Sequence, residues 1–136
     1  RHIDYAKRFR TNEFVIHDRV DAISHATCGM AIDIGAKVIV VTSMSGMTVR
    51  MVSRFRAPTD IVGMATNKRV WYKLSLSWGV LPVLSEQFNS TDVLFYHALR
   101  AARDTMHLQP GDNVVMTGGI TNGKSGNTNL IKIEAV

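Results

Sequence analysis

Hydrophobic residues along the chain follow two patterns in alternation, one typical of helices and one typical of strands. From Asp18 onward, apolar and small residues recur at spacings of three and four as far as Ile34, and Gly35 follows. This pattern predicts a long helix closed by a glycine. The run Lys37–Val41 is short and almost continuously apolar, which is typical of a buried strand.

The same alternation continues to the end of the chain. We predict further strands at Ile61–Ala65, Val80–Leu84, Asn113–Thr117 and Asn127–Val136, and helices at Val49–Phe55, Lys68–Ser77 and Ser90–Met106. Thr66-Asn67 should cap the second of these helices, and Gly79 should close it. In the last helix we expect these residues to face inward: Val93, Leu94, Tyr96, Ala98, Leu99 and Ala102.

Strands that alternate with helices of this length predict an α/β fold with a mainly parallel sheet, covered by helices on both faces. Pro82 places its strand at a sheet edge, because proline cannot donate to a strand ladder. The last two strands are joined without a helix and should pair antiparallel. The predicted architecture is a three-layer α/β/α sandwich around a five-stranded, mostly parallel sheet with an antiparallel last strand.

The length of 136 residues and the 46% hydrophobic content suit one domain with a proper core. The opening segment Arg1–Thr11 is charged and weakly patterned, so we expect it to lie outside that core. We therefore divide the chain into a linker, residues 1–12, and a domain, residues 13–136. The chain begins at Arg1 without a methionine, which indicates part of a longer protein.

Charge and residue types argue against several classes of function. The net charge of +5 and the pI near 9.7 favour anionic partners. The basic residues are spread, however, and the aromatic residues lie mostly within apolar patterns, so nucleic acid is not an expected partner. The single Cys28 rules out a disulfide framework and favours a cytoplasmic protein. We see no metal-ligand spacing, no apolar run of the ~20 residues needed to span a membrane and no signal peptide.

A loop rich in hydroxyl groups, Thr42–Thr48, follows the first predicted strand and precedes a helix. Unpaired amide groups and the positive end of the helix dipole meet at such a turn, so it can hold a phosphate. Arg50 follows closely in the sequence. The simpler alternative is that Ser45 or Thr48 only caps the helix.

A second loop, Gly118–Ser125, fits the pattern G-x-x-x-x-G-K-[ST] of a P-loop. That mechanism requires a helix to begin at Lys124-Ser125, whereas the tail that follows alternates like a strand. We therefore reject an NTPase. The loop can still present amides, hydroxyls and Lys124 as the second half of an anion site.

Right-handed crossovers bring the loops after parallel strands to the carboxyl edge of the sheet, where ligands bind at the reversal of strand order. The Thr42–Thr48 loop, Thr66-Asn67 and the Thr117–Ser125 loop should meet there, which predicts a phosphate site. The sequence offers no Ser-His-Asp set, paired carboxylates or His cluster at this edge. We therefore assign no catalytic residue.

Several short motifs resemble, in their order and spacing, the C-terminal domain of pyruvate kinase of the bacterial type. They are Ser45–Pro58, Thr66-Asn67, Trp78-Gly79-Val80, Pro110-Gly111-Asp112, Thr117-Gly118 and Ser125–Asn129. The resemblance covers about Glu13 to Val136, and Ile3-Asp4-Tyr5 resembles the segment that leads out of that family's catalytic barrel. The family fold agrees with the architecture predicted above.

The resemblance implies a parent enzyme that transfers phosphoryl from phosphoenolpyruvate to ADP, giving pyruvate and ATP in glycolysis. Mg²⁺ and K⁺ would act in a barrel that this chain does not contain, and residues 1–12 would be the linker from that barrel. The chain itself should hold no cofactor and be inactive alone. In this family the domain binds a phosphorylated effector and contributes contacts to a homotetramer.

The resemblance also assigns effector-binding positions. They are Ser43, Ser45, Gly46, Met47 and Thr48 in the first loop and Gly123, Lys124, Ser125 and Gly126 in the flap. Met47 departs from the basic or aromatic residue often found there, and Ser85–Asp92 contains no Arg or Lys to hold a second phosphate. We therefore expect a sugar monophosphate or AMP rather than fructose 1,6-bisphosphate.

Two alternatives remain open. A free-standing protein that binds or transfers phosphosugars or nucleotides would share the same edge, and turnover by the isolated chain would identify it. A domain that only assembles subunits would self-associate without saturable ligand binding. Apolar residues near Trp71 and Trp78 would then serve contacts or the core.

Overall fold

The structure is a computed structural model that describes residues 4–42, 47–55, 57–88, 90–118 and 130–136, with Met47 described by its backbone only. The described residues form five helices and five strands. The helices are α1 Tyr5–Thr11, α2 Arg19–Ile34, α3 Met47–Arg54, α4 Lys68–Leu74 and α5 Thr91–Met106; the strands are β1 Val38–Thr42, β2 Asp60–Ala65, β3 Val80–Leu84, β4 Asn113–Gly118 and β5 Leu130–Ala135. None of these helices is long and apolar enough to cross a membrane.

The strands form one sheet in the order β3-β2-β1-β4-β5. The pairs β3-β2, β2-β1 and β1-β4 are parallel, and β5 pairs antiparallel with β4. Pro82 lies in the edge strand β3, opposite Gly63. The α/β class, the five-stranded sheet, its proline-marked edge and its antiparallel last strand are therefore confirmed.

Alternate residues of each central strand bury against opposite helix layers. Ile39 and Val41 of β1 belong to the core under α2, α3 and α4, whereas Val38 and Val40 belong to the core under α5. In the described part of the chain, α5 is the one helix on that second face. This two-sided burial explains why β1 is apolar throughout rather than alternating.

The ends of α2 follow the predicted signals. Asp18 is the N-cap, and its side chain accepts a hydrogen bond from the Asp21 amide at 2.8 Å. Gly35 is the C-cap in the left-handed conformation, with φ of 63°. A residue with a side chain is strained at this φ, so the glycine closes the helix as predicted.

Helix α4 is shorter than the predicted Lys68–Ser77. It ends at Leu74, and the Leu76 and Ser77 amides donate back three residues, to Lys73 O at 3.2 Å and Leu74 O at 3.0 Å. These tighter turns break the helical pattern before Gly79, which does not cap the helix. Asn67 does cap its start, because the Asn67 side chain accepts from the Val70 amide at 2.9 Å.

The inward face of α5 differs in part from the prediction. Leu94, Ala98 and Ala102 are buried as expected, but Tyr96 is 61% exposed and Val93 is 44% exposed. Phe95 is buried instead. The buried face follows residues spaced three, four and seven apart from Phe95, and a helix turns about 100° per residue, so Tyr96 points away from it.

The opening segment contributes to the core, contrary to our expectation. Phe9 of α1 is 6% exposed and belongs to the core cluster on the α2 face. Its ring centroid lies 4.7 Å from that of His25, 5.5 Å from Phe14 and 6.3 Å from Phe55. Phe9 thus packs α1 against the core, although the stretch around it is charged. The linker boundary at residue 12 stays a prediction.

The two tryptophans differ in their packing. Trp71 packs against the core on the α2 face, and its ring N–H donates to Pro82 O at 3.2 Å. Trp78 is 38% exposed, and its ring lies 5.1 Å from that of Tyr5. The first therefore joins a helix to the sheet, and the second contacts α1 at the surface.

Candidate functional site

Strand order reverses between β1 and β4, and threonines stand at the carboxyl ends of both strands. The Thr42 hydroxyl donates to Thr117 O at 3.4 Å, and the Thr117 hydroxyl donates to Leu130 O at 3.0 Å. Both side chains are buried, at 8% and 0% exposure. These two bonds tie β1, β4 and β5 together at the place where open α/β sheets bind ligands.

Gly118 allows β1 and β4 to approach each other closely at this edge. A Cβ atom placed on Gly118 would lie 1.8 Å from the Thr42 hydroxyl oxygen. No side chain fits there unless Thr42 moves. Thr42 and Gly118 precede the two predicted effector loops, so this contact fixes the spacing between the points where both loops leave the sheet.

Most of the predicted effector positions lie outside the described residues. This applies to Ser43, Ser45 and Gly46 in the first loop and to Gly123, Lys124, Ser125 and Gly126 in the second. Met47 begins α3, and Thr48 is buried in its first turn. The structure thus shows the strand ends and the helix start that border the loops, and the assignment of these positions stays a prediction.

Helix α3 differs from the longer helices in the charges of its first turn. Helices α2 and α5 carry an acidic residue there, Asp21 and Asp92 respectively, whereas α3 carries none. Arg50 is exposed in this turn and forms no ion pair with any described residue. The positive end of the α3 dipole is therefore not neutralised by its own first turn, which favours an anion.

The second arginine of α3 is already engaged. Arg54 lies 3.6 Å from the buried carboxylate of Asp21, measured from Nη2 to Oδ1, and its guanidinium lies 5.0 Å from the centre of the Phe55 ring. Asp21 also accepts from the His17 amide at 3.2 Å. Arg54 thus compensates a buried charge, and Arg50 is the cation of α3 that can meet a ligand.

Cys28 is unsuited to chemistry. It is fully buried in α2, and its thiol donates to Val52 O at 3.7 Å. Burial raises the pKa of the Cys28 thiol to about 12, so the thiol stays protonated at neutral pH. Among the described residues, no group of three or more His, Cys, Asp or Glu is placed to hold a metal ion.

One polar cluster escaped the sequence analysis. His97, Arg100 and Asp104 line a cavity of about 210 Å³ between α5 and the ends of β2 and β3. The sequence analysis assigns no role to His97. The spacing of these residues, three and four along one helix, was a usable signal, because it places them on one face.

Comparison with known proteins agrees with the observed α/β fold. A family model described as "Pyruvate kinase, alpha/beta domain" matches residues 21–134. A pyruvate kinase of Clostridium acetobutylicum is 36% identical over 116 residues, 85% of this chain and 24% of the relative. One from Lactobacillus delbrueckii is 32% identical over 127 residues, 93% of this chain and 22% of the relative.

A third pyruvate kinase, from Staphylococcus saprophyticus, is 33% identical over 117 residues, which cover 86% of this chain and 20% of the relative. The chain thus spans only a fifth to a quarter of the length of these relatives. The family match nevertheless covers β1 to β4 and all but the last residue of β5, and so includes the carboxyl ends of β1 and β4. The chain therefore belongs to the pyruvate kinase alpha/beta domain family.

Proposed function

We propose that this chain is the regulatory domain of a cytoplasmic pyruvate kinase. It binds a phosphorylated effector at the carboxyl edge of the sheet and contributes contacts between subunits. Phosphoryl transfer from phosphoenolpyruvate to ADP, with Mg²⁺ and K⁺, would take place in the catalytic barrel of the same enzyme. The main support is the crevice between β1 and β4, where the first turn of α3 carries Arg50 and no acidic residue.

The effector we propose carries one phosphate group, as sugar monophosphates and AMP do. One phosphate can be held by the start of α3 with hydroxyls of the first loop, and Lys124 would approach from the flap. A second phosphate would need another cation, and Ser85–Asp92, the segment that follows β3, contains no Arg or Lys. Binding would shift the enzyme toward its active assembly by differential affinity.

Replacing both Ser45 and Lys124 by Ala is expected to weaken effector binding at least about tenfold, because hydrogen bonds to charged groups contribute about 1.5–3 kcal/mol each. Calorimetric titration of the chain with AMP, ribose 5-phosphate, glucose 6-phosphate and fructose 1,6-bisphosphate, each in a separate run, identifies the ligand and measures the loss. The matched control replaces Lys73, in the last turn of α4, and Ser77, three residues beyond the end of that helix, by Ala and should bind normally. If the Ser45/Lys124 variant binds the effector as tightly as the unsubstituted chain, the proposed site is wrong. If none of the four ligands binds, the chain does not bind an effector of this kind.

The proposed subunit contacts involve the β5 edge of the sheet. Ile133 of β5 is 45% exposed and lies on the α2 face of the sheet, opposite Val115 in the ladder. Met30 and Ile34 of α2 are also exposed, at 38% and 37%. β5 has a free edge in the described sheet, so this surface combines unpaired backbone groups with apolar side chains.

Replacing Ile133 by Lys is expected to abolish self-association of the chain, because an exposed charge at a strand edge opposes pairing. Sedimentation velocity over a range of concentrations measures the assembly. Leu81→Lys is the matched control, since Leu81 is 44% exposed on the opposite edge strand β3. Assembly through β5 is contradicted if the unsubstituted chain is monomeric. It is also contradicted if both substitutions dissociate the assembly equally.

A further inference from the structure

Two polar atoms near the start of α2 are buried without a hydrogen bond. Asp21 is 1% exposed and Ser24 is 0% exposed. Neither Asp21 Oδ1 nor Ser24 Oγ is hydrogen-bonded to any residue that the structure describes. The other carboxylate oxygen of Asp21, Oδ2, accepts from the His17 amide at 3.2 Å. Buried polar atoms in proteins nearly always have a partner, so these two atoms together indicate a further binding partner.

The two atoms belong to one face of α2. Asp21 and Ser24 are three residues apart, and side chains at this spacing are neighbours on a helix. Thr27, three residues further on, is equally buried, but its hydroxyl donates to Ile23 O at 2.7 Å. A buried serine in a helix can bond a carbonyl of the preceding turn in the same way, and Ser24 does not. The Ser24 hydroxyl is therefore available to a group beside Asp21.

Arg54 of α3 lies just beyond hydrogen-bond distance of the same carboxylate oxygen. Arg54 Nη2 is 3.6 Å from Asp21 Oδ1, whereas direct N–H···O bonds measure about 2.7–3.2 Å. The Arg54 side chain is half-exposed and that of Asp21 is 2% exposed, so the guanidinium lies on the solvent side of the carboxylate. A polar pair at this distance is commonly bridged by water.

We propose that one internal water molecule binds here and joins α2 to α3. The water donates to Asp21 Oδ1 and accepts from the Ser24 hydroxyl and from Arg54 Nη2–H. Three hydrogen bonds are the usual number for a buried water. The ligand is neutral, because Arg54 repels a cation and Asp21 repels an anion. It must also both donate and accept, because a carboxylate oxygen only accepts and a guanidinium only donates.

The water accounts for the burial of Asp21. Removing a carboxylate oxygen from solvent is costly unless the oxygen is hydrogen-bonded, and Arg54 alone does not come close enough for that. Asp21 lies in the first turn of α2, and Arg54 is the last residue of α3. The bridge therefore fixes the end of α3 opposite to the one that borders the candidate site. It involves no predicted effector position, so it is independent of effector binding.

The direct test is a high-resolution crystal structure of the chain. We expect electron density for one water within about 3.2 Å of Asp21 Oδ1, Ser24 Oγ and Arg54 Nη2. Ser24→Ala should lose this water or leave it poorly ordered, because one of its three partners is gone. Thr27→Ala is the matched control. It removes a buried hydroxyl that has its own partner on the same helix, and should keep the water.

A double-mutant cycle tests the bridge in solution. Ser24→Ala and Arg54→Met should each lower the folding equilibrium constant about fivefold or more, because each removes a bond to the water. The two losses should be coupled by at least about threefold, since both act on the same water. Thr27→Ala combined with Arg54→Met should instead give the product of the single losses within about twofold. Urea denaturation measures all five variants.

Four results would overturn the proposal. They are a well-ordered crystal structure without density at this position, a Ser24 hydroxyl bonded directly to Asp21 or to Val20 O, an unchanged water in Ser24→Ala, and uncoupled losses in the cycle of Ser24 with Arg54. If Ser24→Ala does not fold, the crystal structure of the unsubstituted chain still decides, because it shows whether the three atoms share a water.

Discussion

Replacing Phe9 by Ala is expected to lower the free energy of unfolding of this chain by about 3–5 kcal/mol, as for other buried phenylalanines. The ring is 6% exposed and contacts His25, Phe14 and Phe55, so its loss leaves a cavity between α1 and the core. Total stabilities of domains are about 5–15 kcal/mol, so the loss would be a large share. Urea denaturation followed by circular dichroism measures it.

The control for Phe9 is Lys7→Ala in the same helix, at an exposed position, which should change stability by less than about 0.5 kcal/mol. A Phe9 variant within that same range would show that α1 is only loosely attached. The opening residues would then behave as the linker that the sequence suggested. A large loss would instead place α1 within the cooperative unit.

Replacing Gly118 by Ala is expected to destabilise the chain by about 2–3 kcal/mol. The added methyl group would lie 1.8 Å from the Thr42 hydroxyl oxygen, so Thr42 must rotate or the strands must separate. Either movement breaks the bond from the Thr42 hydroxyl to Thr117 O. The same change should weaken effector binding, because the spacing of the two loops depends on this contact.

A double-mutant cycle with Thr42→Ala isolates the clash. Removing the hydroxyl takes away the atom at 1.8 Å, so the double variant should lose at least about 1 kcal/mol less than the sum of the single variants. Gly29→Ala is the control, because its added Cβ would make only an ordinary contact, 3.8 Å from Phe9, within a helix. Additive losses in the cycle would show that another contact limits the size of residue 118.

The elements that the sequence predicted well have local causes. The bounds of α2 follow from Asp18 and Gly35, and the edge position of β3 agrees with Pro82. The errors depend on packing between distant residues. Phe9 is buried by its contacts with Phe55 and His25, which lie in distant parts of the sequence. The local sequence pattern around Phe9 therefore does not reveal its burial. The early end of α4 is set by competing turns rather than by its glycine.

The candidate site was likewise predictable only in part. Loops that follow parallel strands could be assigned to one edge from chain order alone, and the observed reversal between β1 and β4 agrees with this. The close approach of Gly118 to Thr42 could not be predicted, because the two residues meet only after β4 docks beside β1. The cavity lined by His97, Arg100 and Asp104 was missed for a related reason, because α5 and the ends of β2 and β3 come together only in the folded chain.

The two edges of the sheet differ in a way that limits how it can grow. Pro82 in β3 lacks an N–H group, so that edge is a poor template for another strand, whereas β5 has no proline. If two copies of the chain pair only through β5, the same edge of each copy meets around a twofold axis. That one contact uses the β5 edges of both copies. Such a contact closes on itself as a dimer of sheets, because no free templating edge remains for a third copy. The chain can therefore expose an edge strand that pairs with a second copy without forming open filaments.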